Sequence, residues 1–336
     1  MTFSEARSRF VLGLTICCVL LAPGCKSGNT AQPAPAQPPF MSAVAGNAPA
    51  PGDEAPAPEI TGGFDGRRAY DQVVKQVSFG PRPPGSAAIA KLQEYLQSEL
   101  KSYGCAVETD SFSADTPDGR VPMKNILVKI PGQKPGILLL GTHYDTKKID
   151  NFVGADDAGS STAVMLELAR SLCQQPLGKY AVWIAFFDAE EAFKLQWNDA
   201  DLDHCYGSRQ MAAQMAASGD LPRVKAFILA DLVGGRTPHF RRDGESTKWL
   251  TDLVWNTAAK LGYGGVFLNE PFDIGGDDHI SFTKRNVPAV DIIDLDTVHD
   301  VPYWHTTQDT VDKISPKTLA VAGHTILESV KELQKK

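Results

Sequence analysis

The chain has little positive charge, few usable cysteines and no apolar run long enough to cross a membrane, and each shortage removes a class of function. Lysine and arginine total 33 against 40 aspartates and glutamates, a net charge of -7 that argues against a nucleic-acid partner. Of six cysteines, Cys17 and Cys18 lie in an apolar leader and Cys25 just after it. The remaining Cys105, Cys173 and Cys205 are odd in number, so at most one bridge can form and no disulfide framework exists. No Cys-x-x-Cys spacing occurs, so any metal site must be built from histidine and carboxylates. Internal repeats are absent, which excludes a solenoid, and so is a glycine-rich loop of the spacing that cradles phosphates.

What is present divides the 336 residues into three parts. Arg7 and Arg9 precede the apolar segment Phe10 to Leu21, which is too short for a comfortable span, and Ala22-Pro-Gly-Cys25 follows. Residues 1–24 therefore read as a secretory signal. Cys25 resembles the lipidation site of a bacterial lipoprotein, although Pro23 stands where a small aliphatic or hydroxyl residue is usual. The expected location is exported: the cell envelope or periplasm, held by lipid at Cys25, or secreted. Residues 25–60 are rich in proline and alanine, bury little, and read as a disordered tether. Residues 61–336 are the expected folded domain, and 43% hydrophobic content is enough for a substantial core.

Apolar spacing predicts helices over Arg67–Val77, Ala87–Tyr103, Thr162–Leu172, Gly207–Ala217, Thr247–Leu261 and 316–334, with a further helix Asp277–Lys284 capped by Asp277. Strands are expected at Ala106–Phe112, Lys124–Ile130, Ile137–Thr142, Tyr180–Phe187, Val224–Ala230 and Pro288–Ile293. Alternating strands and helices give an α/β class with a mostly parallel central sheet. Chemistry in such sheets sits beyond the carboxyl ends of the strands. There the sequence places His143 and Asp145, Asp156 and Asp157, Asp188, Glu190 and Glu191, Asp231, Asp277-Asp278-His279, and His305. The adjacent Glu190 and Glu191 repel each other unless a cation lies beside them. One glutamate on a metal and the other free as a base fits that pattern, and zinc suits a mixture of imidazole and carboxylate.

The motifs Thr142-His-Tyr-Asp-Thr146, Gly154-Ala-Asp-Asp157, Phe187-Asp-Ala-Glu-Glu-Ala-Phe193, Tyr206-Gly-Ser-Arg209, Ala230-Asp-Leu-Val-Gly234, Asp277-Asp-His-Ile-Ser-Phe282 and Tyr303-Trp-His-Thr306 together resemble the zinc-dependent aminopeptidase superfamily. Within it they resemble the glutaminyl-peptide cyclotransferases, or glutaminyl cyclases. The cyclase branch is favoured by the long Glu191–Gly207 segment with Trp197, by Asp277-Asp-His279, and by Trp304 before the last histidine. The resemblance implies a single-domain three-layer α/β/α sandwich. It makes Asp157, Glu191 and His305 ligands of one zinc, Glu190 the acid/base, and Asp231 and Asp277 supporting acids. It makes Trp197, Trp304 and Asp278 substrate contacts. A departure is Asp291, which stands where animal cyclases have a histidine. The implied substrate is a peptide or protein N-terminus: glutamine cyclised to pyroglutamate with loss of ammonia. Two alternatives stand beside it. A zinc aminopeptidase would use His143 and Asp231 for a second metal, and a binding domain of the same fold would have no chemistry.

Overall fold

The computed structural model describes residues 51–175, 178–197 and 202–336. The signal segment, Cys25 and most of the tether lie outside them. Seven helices and eight strands occur among the described residues: α1 (Gly66–Val77), α2 (Ala87–Ser102), β1 (Val107–Thr116), β2 (Gly119–Ile130), β3 (Ile137–His143), α3 (Gly159–Cys173), β4 (Ala181–Phe187), α4 (Tyr206–Ser218), β5 (Val224–Asp231), β6 (Phe240–Asp243), α5 (Lys248–Lys260), β7 (Phe267–Phe272), α6 (Ile280–Thr283), β8 (Ala289–Ile293) and α7 (Pro316–Lys335).

Six strands form the main sheet in the order β1-β2-β4-β3-β5-β8. β4, β3, β5 and β8 run parallel, and β1 and β2 join as an antiparallel hairpin on one side. Every residue of β3, β4 and β8 is buried, as the unbroken apolar runs require of strands covered on both faces. Alternate side chains go to opposite layers. Leu138, Leu140, Ile184, Phe186 and Ile228 meet the α1, α2, α3, α5 and α7 side, whereas Leu139, Trp183, Ala185, Phe187 and Phe227 meet α4 and α6. The three-layer sandwich is thus present. Cys105 and Cys173 form its single disulfide among the described residues, leaving Cys205 as a buried free thiol.

Four differences from the sequence reading have physical causes. β6 and β7 pair as a separate two-stranded sheet; they are short and partly exposed, so no apolar run marks them. The β1/β2 hairpin extends to a turn at Thr116–Gly119; its outer half is largely polar and at least partly exposed, so no apolar run marks it. The Asp277 helix shrinks to the single turn of α6, with no carboxylate capping it. Residues 51–60, read as tether, include groups bound to the domain: Asp53 pairs with Arg236 at 3.3 Å and its carbonyl accepts from Lys317 N–H at 3.1 Å.

Arg82 shows how the core reaches the site. Its guanidinium is fully buried and donates to the carbonyls of Gly80 at 3.0 Å, Val153 at 2.7 Å and Gly154 at 3.1 Å. Gly154 has φ +49, and a Cβ there would meet the Asp157 carbonyl at 1.9 Å, so glycine is required for the turn that delivers Asp157. Replacing Arg82 with methionine removes the donor from these three carbonyls and from that of Gln76, which it reaches at 3.4 Å. The expected loss is about 3 kcal/mol in unfolding free energy by denaturant titration, and an unchanged midpoint would overturn this role.

Candidate active site

Parallel pairing puts the carboxyl ends of β3, β4, β5 and β8 on one edge of the sheet. β3 ends in His143 and β5 in Asp231. Glu190 and Glu191 follow β4 by three and four residues, Asp157 lies in the turn before α3, and His305 lies in the loop after β8. Asp277 comes from elsewhere, the segment leading from β7 of the small sheet. All but the buried His143 line one cleft, whose apolar walls include Trp197, Trp304 and Leu295. Backbone strain gathers here: Ala189, Cys205, Leu232 and His305 all have φ between +47 and +57, the left-handed region that costs a non-glycine residue energy.

Two ligand sets share Asp157. His305 Nε2 lies 3.0 Å from Glu191 Oε1 and 3.3 Å from Asp157 Oδ2. His143 Nε2 lies 3.1 Å from Asp231 Oδ1 and 3.3 Å from Asp157 Oδ1. Nitrogen and oxygen ligands of one tetrahedral zinc, each about 2.0–2.2 Å from the ion, sit roughly 3.4 Å apart. Both sets approach that spacing, and their imidazole and carboxylate donors are those zinc takes. Glu190 belongs to neither set. Its Oε2 is 3.9 Å from His143 Nδ1, and it faces the cleft.

The protein orients these groups through a second ring of residues. Asp145 accepts the backbone N–H of Glu190 at 3.0 Å and of Glu191 at 3.3 Å, which aims both glutamates. Asp309 accepts the N–H of Asp156 at 2.8 Å and of Asp157 at 3.1 Å. Asp156 itself turns away from the cleft, taking the Tyr303 hydroxyl at 2.7 Å and the Gly234 N–H at 2.9 Å. Lys147 is buried and donates to the Ala192 carbonyl at 2.9 Å while its Nζ lies 3.4 Å from Glu191 Oε2, which leaves Oε1 for a cation. Trp304 stacks on His305 at 3.9 Å between centroids, and Phe152 meets the other side of that ring edge-on.

Sequence reasoning assigned no role to Lys147, Asp309 or Tyr303. Lys147 carried a signal, being a lysine within a motif of acids and histidines at a strand end. Tyr303 opens the quoted motif Tyr303-Trp-His-Thr306, but its partner Asp156 and that of Asp309 are more than 140 residues away, so neither role could be read locally. Asp278 is fully buried and does not line the cleft. His279 is buried with Asp243 at 3.2 Å and Asp291 at 3.6 Å, away from both ligand sets.

Burial and neighbouring charge push the acids of the site in opposite directions. Burial, then the charges of Asp277, Glu191 and Asp278, push the Glu190 carboxyl well above the usual range, against a lowering by His143. Burial pushes Asp231 to about 7, against a lowering by His143. Burial would also raise Asp157, but hydrogen bonds from His143 and His305 win and hold it well below the usual range. Burial would lower His305, yet Glu191 and Asp157 raise it to about 10.

Asp294, just past β8, lies outside the ligand sets and tests how burial acts on acids at this edge. Burial raises its pKa to about 7 from 3.8, against the N–H of His239 that its Oδ2 accepts. The folded chain therefore keeps a proton that the unfolded chain has lost, and stability falls as pH rises from about 4 to 7. Asp294→Asn should gain of order 2 kcal/mol above pH 7 and nothing near pH 4. An equal gain at both pH values in denaturant titrations would refute the assignment.

The sequence pattern of peptidase family M28 matches residues 125–330. A glutaminyl-peptide cyclotransferase of Drosophila melanogaster is 31% identical over 281 residues, covering 75% of each chain. The crystal structure of a glutaminyl cyclase from an Acidobacteriales bacterium superposes with TM-score 0.75 at 36% identity, over 91% of this chain and 99% of that one. A leucine aminopeptidase precursor from Bacteroides thetaiotaomicron superposes with TM-score 0.73 at 29% identity, over 80% and 97%.

Proposed function

This chain belongs to peptidase family M28, and from that premise we infer that it is a glutaminyl-peptide cyclotransferase acting on peptide and protein N-termini. Both the curated relatives and the solved structures that resemble it include proteins of that name. The geometric observation that carries the reading is Glu190, buried in the cleft yet outside both ligand sets, beside an acid-imidazole group complete for one zinc. Zinc held by Asp157, Glu191 and His305 would supply Lewis acidity to the side-chain carbonyl of an N-terminal glutamine.

The residues of the chain account for the rest. The substrate's own α-amine is the nucleophile, so the reaction consumes no water and the cleft's task is to hold one rotamer. Trp197, Trp304, Ile293 and Leu295 wall the cleft with apolar surface, which keeps water from competing. Glu190 takes a proton from the amine as the ring closes and returns one to the ammonia that departs. Burial raises its carboxyl above the ordinary glutamate range, so it holds that proton more firmly than an exposed carboxylate would. Asp231 and Asp277 line the same cleft as Glu190 and would hydrogen-bond along the path of that proton.

One observation favours a second reading. His143, Asp157 and Asp231 form a further group able to hold a metal, and two ions would suit water activation by an aminopeptidase. Incubation with a Gln-initiated and a Leu-initiated peptide separates the two by product mass. We expect loss of ammonia from the first peptide with its chain intact and no change in the second. Release of free leucine would replace the cyclase by the aminopeptidase. Export by residues 1–24 and a lipid on Cys25 complete the proposal, and labelling with a radioactive fatty acid in a bacterial host tests the lipid.

A further inference from the structure

Cys205 is a buried residue at the site that the reaction above does not use. It is the one free thiol among the described residues, with φ +51, and it lines a second cavity that meets the catalytic cleft at Gly276 and Asp277. Its backbone N–H donates to the Glu190 carbonyl at 2.8 Å, so the main chain holds the two residues side by side. Its Sγ lies 3.8 Å from Glu190 Oε1. Glu190, Cys205 and Asp277 each bring a ligand atom within 4.8 Å of the others. Asp277 is 4% exposed, and its Oδ2 has no hydrogen-bond partner.

We propose that Glu190, Cys205 and Asp277 form an inhibitory site for a thiophilic divalent cation such as cadmium or excess zinc, separate from the Asp157, Glu191 and His305 set. The spacing supports it. A sulfur about 2.3 Å and an oxygen about 2.1 Å from one tetrahedral ion lie roughly 3.6 Å apart, close to the observed 3.8 Å. The chemistry supports it too, because a thiolate selects soft cations and a pair of carboxylates supplies the remaining charge. The cation enters from the acidic cleft, since the lining of the second cavity includes Arg209, Lys284 and Arg285 beside the acids Glu245 and Asp277. Binding forms a metal–sulfur bond and releases the thiol proton to solvent, so affinity rises with pH. An ion held there occupies the Glu190 carboxylate and prevents it from moving protons. Inhibition, though not the site itself, rests on the role of Glu190 proposed above.

The test uses the full chain loaded with one equivalent of zinc, titrated with cadmium while absorbance and turnover are recorded. The first zinc set contains no sulfur, and Cys17, Cys18 and Cys25 are common to wild type and variants, so the part of the thiolate-to-metal charge-transfer band that disappears when Cys205 is replaced reports Cys205. Wild type should develop the band as turnover falls by about tenfold or more. Cys205→Ser and Cys205→Ala should lack that contribution and lose much less of their own cadmium-free rate. Magnesium, which prefers oxygen, should not inhibit wild type, a comparison that needs no variant to fold. Absence of the band at saturating cadmium, or equal inhibition of Cys205→Ser, would overturn the site. A band without loss of turnover would keep the cation site and instead remove Glu190 from the role of base.

Discussion

Glu190→Gln should lower turnover of a Gln-initiated peptide by about two to four powers of ten while zinc content stays at the wild-type level. Glutamine fills the same volume and can still donate and accept hydrogen bonds in the cleft, but it cannot take the amine proton. The ligand set is untouched, because Glu190 is absent from the groups built on His305 and on His143. Its backbone N–H remains free to donate to Asp145. The substitution also removes one negative charge next to Glu191, so metal affinity, measured by competition with a chelator, should fall modestly while the site stays filled. Wild-type turnover in the variant would dismiss Glu190 as the base. Loss of zinc along with activity would place it among the ligands instead.

Metal removal is the second large effect. Stripping the protein with a strong chelator should abolish turnover, and zinc should restore it. The more informative readout is the proton balance. Without a cation, Glu191 and Asp157 hold the His305 ring in its protonated form up to about pH 10, although burial opposes this. The pKa of His143 is likewise raised well above its ordinary value: burial lowers it, but Asp231, Asp145 and Asp157 prevail. Zinc binds imidazole only when that nitrogen is deprotonated, so refilling the site at pH 7 should release about one proton per zinc, and about two if both sets fill. A pH-stat measures this directly. Zinc uptake with no proton released would show that the apo site does not hold His305 protonated. Release of two protons with two equivalents of zinc would favour the two-metal reading.

Much of the architecture was legible because burial on both faces leaves a mark that needs no neighbour. The runs Ile137–Thr142 and Tyr180–Phe187 are apolar without a break, and they became β3 and β4 at the middle of the sheet. The helix spacing of Ile89, Leu92, Leu96 and Leu100 likewise announced the buried face of α2. β6 and β7 left no such mark. Their pairing rests on backbone hydrogen bonds between partly exposed segments, and such bonds are blind to side-chain type.

The site divides along the same line. Sequence alone determined the cast of reacting groups: acids and histidines at strand ends, with Glu190 beside Glu191 and aromatics nearby. Those residues must be of particular chemical types, and their positions relative to a strand end are local facts. Only tertiary structure decided which of them meet. It brought Asp157 between His305 and His143, turned Asp156 away toward Tyr303, and carried Asp277 in from the small sheet. It also set Lys147 against Glu191 and Cys205 against Glu190. The physical reason is that a ligand set is defined by distances of a few ångströms between atoms far apart along the chain. Those distances are fixed by strand register and by hydrogen bonds such as those of Asp145, Asp309 and Arg82, which leave no pattern in the neighbouring sequence.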